Sequence, residues 1–220
     1  MGTRRFPLDI TVSIDGGLAV YPGDAAPRVH RVSSIAEGAA LTASSLELGC
    51  HVGTHVDAPS HFLRDGAALD QLPLAHFHGP AQVIDMDGRD AITAKDVQSL
   101  SVPAGTHILL KTKNSRFLKQ GTFRDDYCYL APEAAEVLLG FAPLSIGIDY
   151  YSLDPPGGDS FPAHMAVARR GLPVFVCLDL ADVEPGEYRF SAFPLKIPRL
   201  EGSPVRAVLF TGEKVGAGKV

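Results

Sequence analysis

Cys50-His51-Val52-Gly53-Thr54-His55-Val56-Asp57-Ala58-Pro59-Ser60-His61-Phe62 decides how this chain is read. The stretch gathers three of the eight histidines and one aspartate. Imidazole and carboxylate together are the usual ligands of a borderline divalent metal such as zinc or manganese. His51, His55, Asp57 and His61 follow one another at even offsets, which on a strand would place them on one face. A straight strand from 51 to 61 would run about 33 Å, too far for one ion held about 2 Å from each ligand. A helix would align His51 with His55 but turn Asp57 away, and Gly53, Thr54 and Pro59 all oppose one. The segment is therefore expected to bend, tightly at Gly53 and again at Pro59, so that its side chains converge.

Around this stretch the composition is that of an ordinary soluble globule. The 220 residues are 45% hydrophobic and 20% charged, with 22 Gly and 17 Pro marking many turns. A single α/β domain over 1–220 is expected, with no repeat or composition change to divide it. A net charge of −5 argues against a nucleic-acid or anionic-membrane partner. No apolar run approaches the length of a membrane span, and no apolar core follows Arg4-Arg5 as a secretory signal would need. Three widely spaced cysteines, Cys50, Cys128 and Cys177, do not form a disulfide framework, so a reducing cytoplasm is expected.

Strands are expected over Leu8–Ile14, Val29–Ile35, Leu41–Leu48, Ala81–Met86, Thr106–Thr112, Leu144–Ile148, Val174–Leu178, Tyr188–Leu195 and Val205–Phe210. Helices are expected from Thr93 as N-cap to Leu100, over Leu130–Leu139 with Gly140 as a C′ glycine, and over Phe161–Arg170. Asp159 or Ser160 would cap the last and Gly171 would stop it. Glu201-Gly202-Ser203-Pro204 reads as a turn, Lys113–Arg124 as a surface flap, and the Gly-rich tail from Thr211 as loose. Val20-Tyr21-Pro22-Gly23-Asp24 reads either as a plain loop or as a pocket rim with Tyr21 as a flat wall. Asp149-Tyr150, delivered by a strand end, reads either as a site rim or as a cap or turn. His76 and His78 have the i, i+2 spacing of a strand-borne ligand pair, but with no carboxylate beside them they read rather as polar residues of an edge or turn, and His107 reads as structural.

The pattern His-x-Gly-Thr-His-x-Asp-Ala-Pro-x-His-Phe, followed by Gly-Ile-Asp-Tyr-x-Ser from Gly147 and by Pro162-Ala163-His164, resembles the metal-dependent cyclase family. That family includes bacterial kynurenine formamidases and isatin hydrolases. The similarity runs from Tyr21-Pro22-Gly23-Asp24 to Pro204-Val205-Arg206-Ala207-Val208. It implies a swivelling β/β/α fold with a mixed sheet, assembled as a homodimer or homotetramer, that hydrolyses amides, lactams or related acyl bonds. It implies His51, His55 and Asp57 as metal ligands, His164 as a ligand of a second metal, and His61 as the catalytic acid/base. One position departs from the pattern. Where two-metal members carry a glutamate ligand, this chain has Val176, with Cys177 beside it. One tightly held ion is therefore expected rather than two, unless Cys177 or water substitutes.

The mechanism expected is hydrolysis of a small-molecule substrate by water that a divalent ion activates, with His61 exchanging the proton. No Gly-x-Ser-x-Gly elbow supports a serine triad. Two other readings stay open: a Lewis-acid cyclase or lyase, and a degenerate member that binds metal without turnover.

Overall fold

The structure is a computed structural model that describes residues 7–211. Arg4-Arg5 and all of the Gly-rich tail after Thr211 lie outside these residues. Among the described residues thirteen strands and four short α-helices follow one another. In order they are β1 (Leu8–Asp9), β2 (Arg28–Ser33), β3 (Ala43–Glu47), β4 (His55–Asp57), β5 (His78–Asp85), β6 (Ala91–Ile92), α1 (Ala94–Val97), β7 (His107–Lys111), α2 (Ser115–Leu118), β8 (Tyr129–Leu130), α3 (Pro132–Leu139), β9 (Ser145–Ile148), α4 (Pro162–Arg169), β10 (Val174–Val176), β11 (Gly186–Ser191), β12 (Gly202–Pro204) and β13 (Val208–Phe210). Among the described residues no helix is long and apolar enough to cross a membrane.

One mixed sheet of nine strands carries the fold, in the order β1-β13-β11-β5-β7-β9-β10-β4-β12. Its centre, β5-β7-β9-β10, is parallel. Such strands are covered on both faces and read as near-continuous apolar runs, as His107-Ile108-Leu109-Leu110 and Val174-Phe175-Val176 do. One face packs against α1, α3 and α4 through Ile108, Leu110, Ile146, Ile148, Val174 and Val176. The other encloses Phe77, Val83, Leu109, Phe175, Phe190 and Leu209. The flanks are antiparallel, with β4 paired to β10 on one side and to β12 on the other.

Several expected elements differ in detail, each for a local reason. The first strand is cut to β1 because Thr11 Oγ1 turns to the Ala207 carbonyl at 3.0 Å and the chain then crosses to Leu178 as an isolated bridge. Residues 201–204, expected as a turn, hold strand β12 at the sheet edge, where Pro204 costs no ladder bond. Gly140 ends α3, but in the right-handed region; the left-handed residue is Ala142, with φ 52°. Thr93 does form a capping box with Asp96.

His107 lies wholly inside this fold, with Nδ1 2.7 Å from Ser145 Oγ and Nε2 without a hydrogen-bond partner. Burial first, and then the nearby His76 and His78, lower its pKa from the ordinary 6.5 to about 3. Between those values the unfolded chain holds a proton that the native chain rejects. Stability is therefore complete above about pH 6.5 and is lost as pH falls toward 3, by up to about 1.4 kcal/mol per unit. Urea midpoints of wild type and His107→Gln, compared from neutral to acid pH, should draw together as the wild type loses this contribution; parallel profiles would contradict the assignment.

Candidate metal centre

The quoted histidine segment bends as its glycine and proline dictate. Gly53 adopts φ 61°, and a Cβ there would press within 3.2 Å of Ile14 Cγ1. The chain extends only over β4 and then tightens into a 3₁₀ turn, Pro59–His61, with Pro59 in its first turn. Thr54 locks the bend in place. Its hydroxyl donates to the Cys177 carbonyl at 2.6 Å and accepts from the Val12 N–H at 2.9 Å, tying the segment to β10 and to the N-terminal run.

These turns bring His51, His55, Asp57 and His61 together, and α4 supplies His164 from across the cleft. Asp57 is the hub, 5% exposed. Its Oδ1 lies 2.8 Å from His51 Nδ1 and 3.5 Å from His55 Nε2, and its Oδ2 lies 3.8 Å from His164 Nε2. Burial alone would raise its pKa. The imidazoles of His55, His51 and His164 outweigh that and hold the carboxyl well below its usual range.

Second partners fix which nitrogen each ring presents. His55 Nδ1 donates to the Gly53 carbonyl at 2.7 Å, and burial lowers its pKa, so the neutral ring turns the Nε2 lone pair toward Asp57. His164 Nδ1 sits 2.6 Å from Asp154 Oδ2. His51 Nε2 is buried without a hydrogen-bond partner, because Glu201 Oε1, 3.4 Å away, is poorly aligned. His51 keeps a raised pKa against its own burial, through Asp57 first and Glu201 second. Gly202 makes room for this ring: a Cβ there would sit 2.5 Å from His51 Cε1.

A divalent ion fits this donor set. An imidazole lone pair and a carboxylate face one another across 3.5 Å with no hydrogen between them, an arrangement that a shared cation relieves. Metal-bound histidines carry the same second partner on the opposite nitrogen. Ligand atoms of His51, Asp57 and His61 all lie within 4.8 Å of one another, so His61 also reaches the cluster. His61 is its exposed member, with its ring stacked on His51 at 4.0 Å and edge-on to Phe62 at 4.4 Å. That covering lowers its pKa.

The cluster forms the floor of an open cavity of about 130 Å³. Tyr21, Phe62, Tyr151 and Phe161 wall it, and Asp24 and Ser152 add polar points. Tyr21 is thus a rim residue. Asp149 and Tyr150, the other expected rim residues, are not. Asp149 is fully buried and accepts four hydrogen bonds, from the backbone N–H and hydroxyl of Thr112 and of Ser115. Tyr150, also fully buried, clips Arg124 through its hydroxyl. The cavity takes the next two residues, Tyr151 and Ser152, instead.

Cys177 offers no substitute ligand. It is packed among Leu118, Tyr127, Tyr150 and Tyr151, and burial pushes its thiol up. Val176 pairs with His55 across β10 and β4 but lies inside the apolar cluster that includes Ala163 and Val167.

Asp154 is the functional residue that the sequence reading missed; Asp159 and Ser160 do not cap α4. Its carboxylate accepts from the N–H groups of Ala163 and His164 at 2.6 and 3.1 Å while holding His164 Nδ1. One acid therefore caps the helix and aims the imidazole. Phe161, just before α4, stands at φ 43° and ψ 50°, an uncommon conformation for a bulky residue, with its ring in the cavity.

The chain belongs to the Cyclase family. Its family model, described as "Putative cyclase", matches residues 8–155, more than half the chain. A kynurenine formamidase of Geobacillus thermodenitrificans is 32% identical over 92% of this chain and 96% of its own length. One of Paracidovorax citrulli is 33% identical over 96% of this chain and 99% of its own. A solved structure titled "Potential Metal-Dependent Hydrolase With Cyclase Activity" superposes with TM-score 0.82 at 30% identity, over 94% of this chain and 98% of that one.

Asp154→Ala should cost about 1 kcal/mol from the lost cap, and more from the orphaned His164 Nδ1. It should also weaken binding of an ion that His164 helps Asp57 to hold, by about 10- to 100-fold. Thermal melts and chelator competition measure the two effects, and metal affinity equal to wild type would deny Asp154 its aiming role.

Proposed function

We propose that this cavity binds a small acyl compound, a formamide or lactam, together with one zinc or manganese ion held by His51, His55 and Asp57. The chain is a metal-dependent amide hydrolase, acting on C–N bonds, as its full-length similarity to two kynurenine formamidases supports. The observation that carries the finer reading is Asp57, buried and faced by imidazole nitrogens from three directions. When bound at such a site, a divalent ion acidifies water toward a pKa of about 7 and polarises a carbonyl.

The chain's own residues supply the rest. His61 is the cluster's imidazole nearest solvent, and its lowered pKa leaves it free to accept a proton at neutral pH. It takes that proton from the attacking water and returns it to the leaving nitrogen. Asp57 stays ionised throughout, because its neighbours hold its pKa down. The walls of Tyr21, Phe62, Tyr151 and Phe161 restrict water around the substrate and fix its acyl plane. One ion is favoured over two because Val176 places an aliphatic side chain beside His55.

Asp57→Ala should lose metal and turnover together, as read by elemental analysis and by hydrolysis of an aryl formamide. His61→Ala should keep its metal while kcat/KM falls about 10²- to 10⁴-fold. Loss of the ion in that variant would make His61 a ligand instead. Val176→Glu should raise the metal content of folded protein toward two per chain; unchanged stoichiometry would show that a carboxylate there cannot reach the cluster. Bound metal with no turnover across formamides, lactams and esters would refute hydrolysis at this site.

A further inference from the structure

Charge is unevenly set around the cavity over the cluster. Among the described residues no lysine or arginine lines it, while two carboxylates do. Asp57, at the floor, faces the imidazoles of His51, His55 and His164. Asp24, exposed at the mouth, makes no ion pair and no side-chain hydrogen bond among the described residues. An unpaired acid on open surface is ordinary. This one stands on a fixed turn beside an aromatic wall.

The Asp24 N–H donates to the Tyr21 carbonyl at 3.0 Å, and Gly23 takes φ 100°, which closes Tyr21-Pro22-Gly23-Asp24 on itself. The Tyr21 ring stands edge-on to Phe123, with 5.3 Å between centroids. The Tyr151 hydroxyl donates to the Ala19 carbonyl at 2.6 Å, just before Tyr21 in the chain. Acid and wall are thereby held in place relative to each other. Phe62 and Phe161, 5.7 Å apart between centroids, complete the aromatic lining.

Aromatic faces are negative and attract cations, and a carboxylate at the same opening adds to that pull. A substrate with its own carboxylate at the mouth would meet Asp24 as a like charge, with no guanidinium or ammonium in the lining to compensate it. The floor has the opposite polarity, because its donor set suits a cation that polarises an acyl oxygen. The two ends of the cavity therefore select a molecule with an acyl oxygen at one end and a positive charge at the other.

We propose that Asp24 is a specificity-determining residue, and that the substrate bears a protonated or quaternary amine. Asp24 and the rings of Tyr21, Phe62, Tyr151 and Phe161 hold that group at the mouth while the acyl bond lies over the cluster. The acyl half rests on the hydrolytic reading above; the ammonium half concerns binding alone. A part-exposed ion pair and a cation–π contact each contribute modestly, so a preference of about tenfold over a neutral analogue is expected.

The test on the zinc-loaded full chain uses three formanilides that differ in charge at the para position: 4-formamidobenzylammonium, 4-formamidobenzyl alcohol and 4-formamidobenzoate. The ammonium compound should have a kcat/KM about tenfold above the alcohol, with the benzoate lowest. Asp24→Asn should erase that order through KM, and Asp24→Glu should restore it. Calorimetry with benzyltrimethylammonium, which has no lone pair for a metal, reads the subsite without turnover; its Kd should rise about tenfold in Asp24→Asn. Elemental analysis should find wild-type metal in that variant. Equal kcat/KM for the three compounds would overturn the proposal, as would an order that persists in Asp24→Asn or a benzyltrimethylammonium affinity that the variant leaves unchanged. Asp24-dependent binding of benzyltrimethylammonium with no formanilide cleaved would support the ammonium subsite and refute hydrolysis instead.

Discussion

A carboxylate taken out of water must be compensated, and Asp57 is the point on which the molecule turns. Among the described residues three aspartates are buried, and each is compensated differently. Asp149 receives four donors from Thr112 and Ser115 and fastens the loop after β7 to the end of β9. Asp154 receives the first N–H groups of α4 and a histidine. Asp57 alone faces three imidazole nitrogens, and the His55 and His164 rings are already committed on their other sides.

The bend that creates this arrangement was legible because it rests on local rules. Gly53 and Pro59 limit the backbone wherever they stand, and the even spacing of the ligands left few ways for them to meet. His164 could be placed only through the family pattern, since nothing in residues 162–169 alone points across the cleft to Asp57. Asp154 is not legible as a cap because it stands eight residues before Pro162, outside the positions next to the helix where caps normally lie. Phe161 in the left-handed region lets an acid from eight residues before Pro162 reach the helix start. Asp149 stays open between rim and turn in the sequence for a related reason. A carboxylate at a strand end looks the same in sequence whether it faces a cavity or a knot of hydroxyls, and Thr112 and Ser115 lie more than thirty residues away. The β12 strand was read as a turn because glycine and proline usually mark turns; here one makes room for His51 and the other sits harmlessly on an edge.

Val176 is a framework residue as well as a neighbour of the cluster. β10 lies between β9 and β4, and its side chains alternate between the helix-covered face and the opposite core. Valine suits that position as a strand residue and fills an apolar cluster, so the framework is indifferent to whether a ligand stands there. The cysteine next to it points away, into a ring of tyrosines.

Phe161 leaves the chain with a conflict between durability and recognition. Its backbone sits where glycine or asparagine would rest at lower energy, while its aromatic ring forms part of the wall facing whatever enters. Glycine at this position would relax the backbone and at the same time open the cavity on that side.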